Sequence, residues 1–127
     1  MLGDDIYMNN DELKVEVVRA AKKAEQIGLC QYKSGNFSVI DRDKGLVYIT
    51  PSGMSRDELT PDKLAVLDLE GNIVEAKYKP SIEVAMHISA YNTRPEAAAV
   101  AHAHSRYATM FASMGKEILP NIVAYRE

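Results

Sequence analysis

The sequence has one cysteine, no tryptophan and only two phenylalanines in 127 residues. A single thiol excludes both an intrachain disulfide framework and a zinc site built from several cysteines. Cys30, between Leu29 and Gln31, reads as a small buried hydrophobe with no catalytic role. Long apolar runs are also missing: none approaches the ~20 residues needed to cross a bilayer. There is no excess of positive charge, since 15 Lys and Arg against 18 Asp and Glu leave a net charge of −3, scattered along the chain. That balance argues against nucleic acid or an anionic membrane as the main partner. The opening MLGDDIYMNNDELK carries acidic and amide residues where a signal peptide has a basic and then an apolar segment, so a cytoplasmic location is expected. The glycine patterns of ATPase loops and dinucleotide-binding folds are absent as well.

What is present suits a packed core. The hydrophobic share of 46% excludes general disorder, and residues 1–127 read as a single domain. Asn9 or Asn10 caps an expected helix with apolar positions Leu13, Val17, Ala20, Ala21, Ala24 and Ile27 at spacings of three and four, ended by Gly28. Two β-rich runs, Phe37 to Ile40 and Leu46 to Thr50, flank a charged turn and read as a hairpin. Short strands are expected at Ala65 to Leu69 and Ile73 to Ala76. A helix opened by Pro80 and Ser81 follows, with Val84, Ala85, Ile88 and Tyr91 inward. Ala97 to Ala103 reads as a buried strand, and Ser105 as the cap of a last helix closed by Gly115. The order suggests an α/β fold with a mostly antiparallel sheet covered by helices.

Three features carry chemistry. His102 and His104 flank one residue at the end of an apolar run; two residues apart on a strand, their rings point to one side, as a metal requires. Taken alone, such a pair is more often two hydrogen-bonded rings at a strand end; the apolar approach and the Ser105 cap, which place both rings at the mouth of the sheet, raise the ligand reading. Pro80-Ser81-Ile82-Glu83 places a hydroxyl and an acid at a helix start, either as a cap that complements the dipole or as an anion site with Glu83 as metal ligand or general base. His87, one turn after Glu83, packs or hydrogen-bonds more simply than it ligates. The loops Ser34-Gly35-Asn36 and Thr50-Pro51-Ser52-Gly53 lie at neighbouring ends of the hairpin. Their glycines allow close approach of an anion, so they read either as ordinary turns or as one phosphate pocket.

In this order the chain resembles the class II aldolase/adducin family, in particular its fuculose-phosphate aldolase-like members. The likeness runs from about Leu13 to Ala112. It rests on Ser34-Gly35-Asn36-Phe37-Ser38-Val39, Ile49-Thr50-Pro51-Ser52-Gly53-Met54, Asp57-Glu58-Leu59-Thr60-Pro61, Lys79-Pro80-Ser81-Ile82-Glu83, Arg94-Pro95 and Val100-Ala101-His102-Ala103-His104-Ser105. The resemblance implies a three-layer α/β/α fold and a Zn2+ cofactor, another divalent metal being an alternative, held by His102, His104 and Glu83. It also makes Glu83 the catalytic acid/base and assigns phosphate binding to Gly35, Asn36, Ser52, Gly53 and Ser81. The implied activity is that of a lyase cleaving a small sugar phosphate by retro-aldol chemistry through a metal-stabilised enediolate. A 4-epimerase or dehydratase of the same fold, or a non-catalytic adducin-like module, is the alternative. Because similar epimerases usually carry Asp at the acid position, Glu83 favours cleavage.

By the same resemblance the partners are a phosphorylated sugar and further copies of the chain in a tetramer. A third histidine is implied roughly 60 residues after His104, to complete the usual three protein ligands of a catalytic zinc. The family domain takes about 200 residues, so the expected C-terminal part is missing. Ile82 stands where many relatives have a second serine, and Tyr125 lies near the place of a proton-donating tyrosine without matching its spacing.

Overall fold

The computed structural model describes residues 10–119, in which three α-helices and five strands form a layered α/β/α unit. Helix α1, Asn10–Gln26, buries Val17, Ala21 and Ala24 of the expected stripe together with Val18, while Leu13 is half-buried and Ala20 and Ile27, expected inward, are exposed. Asp11 and Glu12 in its first turn and Lys23 in its last complement the helix dipole. Gly28, at φ +83, turns the chain out of it. Of the two candidate caps, Asn10 begins the helix and its amide oxygen accepts from Lys44 Nζ at 2.6 Å, while Asn9 lies outside the described residues.

Strands β1, Asn36–Asp41, and β2, Leu46–Ile49, form the expected hairpin. A 3-10 turn at Pro61–Lys63 leads into β3, Ala65–Leu67, which is followed by β4, Ile73–Glu75. With β5, Ala99–His102, they make one antiparallel sheet in the order β4-β3-β2-β1-β5. Strand alternation sends Phe37, Tyr48 and Val66 to the α1 side, where they join Val17, Ala21 and Leu64. On the opposite face Ile40, Val47, Ile49, Ala65 and Leu67 pack with Ile88 and Tyr91 of α2, Val84–Thr93. Arg42, in the hairpin turn, donates to the carbonyls of Tyr91, Arg94 and Ala97, which places a cation on the α2 C-terminus and ties that helix to the sheet. Cys30 is buried, as expected.

Three further expectations change. Helix α2 begins at Val84 rather than at Pro80, because Ser81 N–H donates to Thr50 O and Ser52 N–H to Lys79 O, so residues 79–81 stay extended against the end of β2. His87 replaces Ala85 on the inward face of α2, and Ala85 is exposed. Strand β5 is shorter than Ala97 to Ala103 and is not buried. It is an edge strand whose Ala99 and Ala101 are exposed, with an apolar groove between them and Val17 and Ala20 of α1. Helix α3, Arg106–Ser113, follows Ser105, whose side chain makes no capping bond, and none of its residues is buried among the described ones. No helix in the described region is long and apolar enough to cross a membrane.

Candidate active site

Gly35, Asn36, Ser52, Gly53, Ser81, Glu83, His102 and His104 all line one open cavity of about 190 Å³ at the end of the sheet. Two local devices bring them there. The backbone bonds Ser52 N–H to Lys79 O (2.9 Å) and Ser81 N–H to Thr50 O (3.1 Å) zip the second glycine loop to the segment before α2. The antiparallel register of β1 and β5 sets Asn36 directly opposite His102, across 66 residues of chain.

The Ser81 hydroxyl oxygen accepts the Glu83 N–H at 3.1 Å, which leaves its own hydrogen free to donate. Glu83 caps α2 at φ −91 and ψ 17, in the sparsely populated bridge region where many active-site residues sit. Its backbone carbonyl accepts from Met86 and His87, so the first turn of α2 fixes where the acid stands. Ile82 also lines the cavity and is largely exposed. The other loop is held from beneath by Arg56, a residue that the sequence reading passed over. Its guanidinium is buried, donates to Ser34 O at 2.8 Å and Gly35 O at 3.0 Å, and lies over the Phe37 ring. Both acceptors are neutral, so they leave its charge uncancelled beneath a loop suited to an anion. Lys33, also missed, adds a second cation at the rim and stands with Tyr32 at positive φ. Each residue is strained by roughly 1 kcal/mol or more, a sign that the loop shape is imposed by its surroundings. An Arg56→Met chain, which keeps the packing but leaves both carbonyls without their donor, is expected to lose about 1–3 kcal/mol, read from urea unfolding.

The rings of His102 and His104 stand 4.8 Å apart between centroids. His102 Nδ1 lies 3.3 Å from Asn36 Oδ1, an arrangement that leaves Nε2 for a ligand. Two imidazoles with a carboxylate on the same cavity are donors of the type that zinc takes, and the residues present fit part of such a site. Among the described residues, no three His, Cys, Asp or Glu side chains are grouped closely enough to hold an ion, so Glu83 is not brought into ligating position. Tyr125 lies outside the described residues.

Behind the cavity, His87 is completely buried and bonded through both nitrogens, to Ser38 Oγ and to Asn36 Oδ1, each at 2.6 Å. Burial, with the nearby His102 as a smaller cause, pushes its pKa down from 6.5 to about 4. Between these values the unfolded chain binds a proton that the folded chain refuses. Stability is therefore expected to fall by about 3 kcal/mol as pH drops from 6.5 to 4 and to be flat for this group above 6.5. Urea midpoints across that range, with His87→Phe as reference, check it.

The sequence pattern of the Class II Aldolase and Adducin N-terminal domain matches residues 15–127. The chain belongs to this family. It is 40% identical over 103 residues to a 5-deoxy-D-ribulose 1-phosphate aldolase of Bacillus thuringiensis serovar kurstaki, covering 81% of this chain and 48% of that protein. It is 38% identical over 107 residues to the L-ribulose-5-phosphate 4-epimerase UlaF of Salmonella paratyphi B, covering 84% and 47%. Among solved structures, an L-fuculose 1-phosphate aldolase matches with a TM-score of 0.81 at 38% identity, over 87% of this chain and 52% of that one. The L-fuculose-1-phosphate aldolase of Thermus thermophilus matches at 0.66 and 34%, over 80% and 50%. The chain thus spans about half the length of the curated relatives it matches.

Proposed function

We propose that this cavity binds a small phosphorylated ketose, and that the chain carries the phosphate-binding and proton-transfer part of a class II, metal-dependent aldolase acting in the cytoplasm as a homo-oligomer. One observation carries the reading: two glycine-serine loops, an acid and a histidine pair from separate stretches of sequence converge on one cavity. The loops supply the Ser52 and Ser81 hydroxyls, the Asn36 amide and a nearby cation, which are donors suited to a phosphate. Gly53 supports this too, because a Cβ there would meet nothing within 4 Å and the loop backbone is open to a ligand.

With the phosphate anchored there, the carbon chain of the ketose extends toward Glu83 and the histidines. His102 and His104 are the residues to hold a divalent ion, zinc by the donor type, which when bound supplies Lewis acidity to the substrate carbonyl and neighbouring hydroxyl. Glu83 takes the hydroxyl proton whose loss allows the carbon–carbon bond to break, and returns a proton to the carbon left behind. The exposed Ile82 side chain gives the same cavity an apolar edge, which suits the deoxygenated end of a substrate such as those of the aldolase relatives.

The test supplies the purified chain with zinc and L-fuculose 1-phosphate or 5-deoxy-D-ribulose 1-phosphate and follows release of the aldehyde. Aldehyde release supports the proposal. Formation of a C4 epimer from L-ribulose 5-phosphate without cleavage favours the epimerase reading. Retention of less than about a tenth of an equivalent of zinc after reconstitution sinks the metal-dependent reading for this chain.

A further inference from the structure

Tyr91, Ser38 and His87, buried behind the cavity, are not used by the reaction proposed above, and they connect to Asn36 and His102, which are. They form one continuous chain: Tyr91 OH lies 2.7 Å from Ser38 Oγ, which lies 2.6 Å from His87 Nδ1. His87 Nε2 lies 2.6 Å from Asn36 Oδ1, and the same oxygen lies 3.3 Å from His102 Nδ1. The directions of these bonds depend on one another. A carbonyl oxygen only accepts, so with that oxygen inward both His87 Nε2 and His102 Nδ1 must carry hydrogens. Neutral His87 then has a bare Nδ1 that accepts the Ser38 hydroxyl, and Ser38 in turn accepts the Tyr91 hydroxyl. Turning the Asn36 amide over reverses the Asn36 and Ser38 bonds and puts the His102 proton on Nε2.

We propose that His87 is a positioning residue that, held by Ser38, fixes the Asn36 oxygen inward and thereby sets two properties of the cavity at once. The first is a bare Nε2 on His102, the form in which an imidazole binds a metal. The second is an Asn36 NH2 group turned outward, as a donor to the phosphate. The distances decide which histidine governs the amide: the buried bond from His87, at 2.6 Å, is much shorter than the 3.3 Å bond from half-buried His102. This rests on the proposed function for its use, while the proton positions are a property of the chain alone.

The test is nitrogen-15 NMR of the metal-free chain labelled in its histidine rings, with a parallel titration of inorganic phosphate. In the wild type, His102 is expected as a single tautomer protonated at Nδ1, with His87 protonated at Nε2. In His87→Phe, which keeps an aromatic ring in the space, His102 is expected to populate both tautomers and phosphate to bind about tenfold more weakly. A wild-type His102 protonated at Nε2 overturns the proposal. So does a folded His87→Phe chain that is less stable but unchanged in tautomer and phosphate affinity, the result of a purely structural role. Ser38→Ala, which keeps the imidazole, gives the same readout if His87→Phe does not fold: mixed His102 tautomers support the proposal and a single unchanged one overturns it. Should the wild type show the expected tautomers and bind no phosphate, the proposed function fails and the positioning of His102 stands.

Discussion

Replacing Gly35 by alanine is expected to cost about 2–5 kcal/mol of stability and, on the function proposed above, to abolish phosphate binding with it. Gly35 stands at φ +78, where an L side chain is strained by roughly 1–2 kcal/mol. The added Cβ would also lie 2.5 Å from Cys30 Sγ and 2.8 Å from the backbone oxygen of His102. Cys30 is buried under the α1 core and the His102 oxygen belongs to β5, so neither yields without moving an element. The displaced element would be the one that carries His102, and the loop that moves in response contains Asn36. Gly53→Ala is the internal comparison. It has the same left-handed backbone, at φ +66, and open space around the new methyl, so about 1 kcal/mol is expected. Urea unfolding of both variants, with phosphate titration, separates overlap from backbone strain. Equal losses would mean that the close approach at Gly35 contributes nothing.

On the function proposed above, Glu83→Gln is expected to lower retro-aldol turnover by about 10²–10⁴-fold while leaving the fold within about 0.5 kcal/mol of wild type. The fold is spared because Glu83 starts α2 through its backbone carbonyl, which glutamine retains, while no capping bond from its side chain is made. Turnover is lost because an amide neither takes nor returns a proton at neutral pH. Single-turnover rates on the sugar phosphate at saturating zinc read the effect. Unchanged turnover removes Glu83 from the mechanism.

Much of this architecture was legible in the sequence. The β1–β2 hairpin follows from β-rich runs around a charged turn, and α1 from apolar residues at helical spacing, since both signals are local. The glycine loops and the His102-Ala103-His104 pair were recognisable as motifs, and all eight proposed site residues meet on the cavity they line. The start of α2 was misread, because Pro80 and Ser81 look like a helix opening unless the pairing with Thr50 and Ser52 is known. Ser38 escaped notice for a similar reason. A polar residue in a strand is expected to face water, yet Ser38 is buried because His87 and Tyr91, some fifty residues later, satisfy it. Arg56 gives no sequence signal, since a charged side chain in a loop is ordinarily solvated.

The sequence by itself determined the family motifs, the α/β composition and the residue types of the site, because these depend on covalent order and local periodicity. Only the tertiary structure decided that Asn36 faces His102, that Arg56 lies beneath the Ser34-Gly35 loop and that His87 closes a buried hydrogen-bond chain. Those relations depend on strand register, which joins residues far apart in the chain, and a shift of one residue would have sent Asn36 and Ser38 to the opposite face of the sheet.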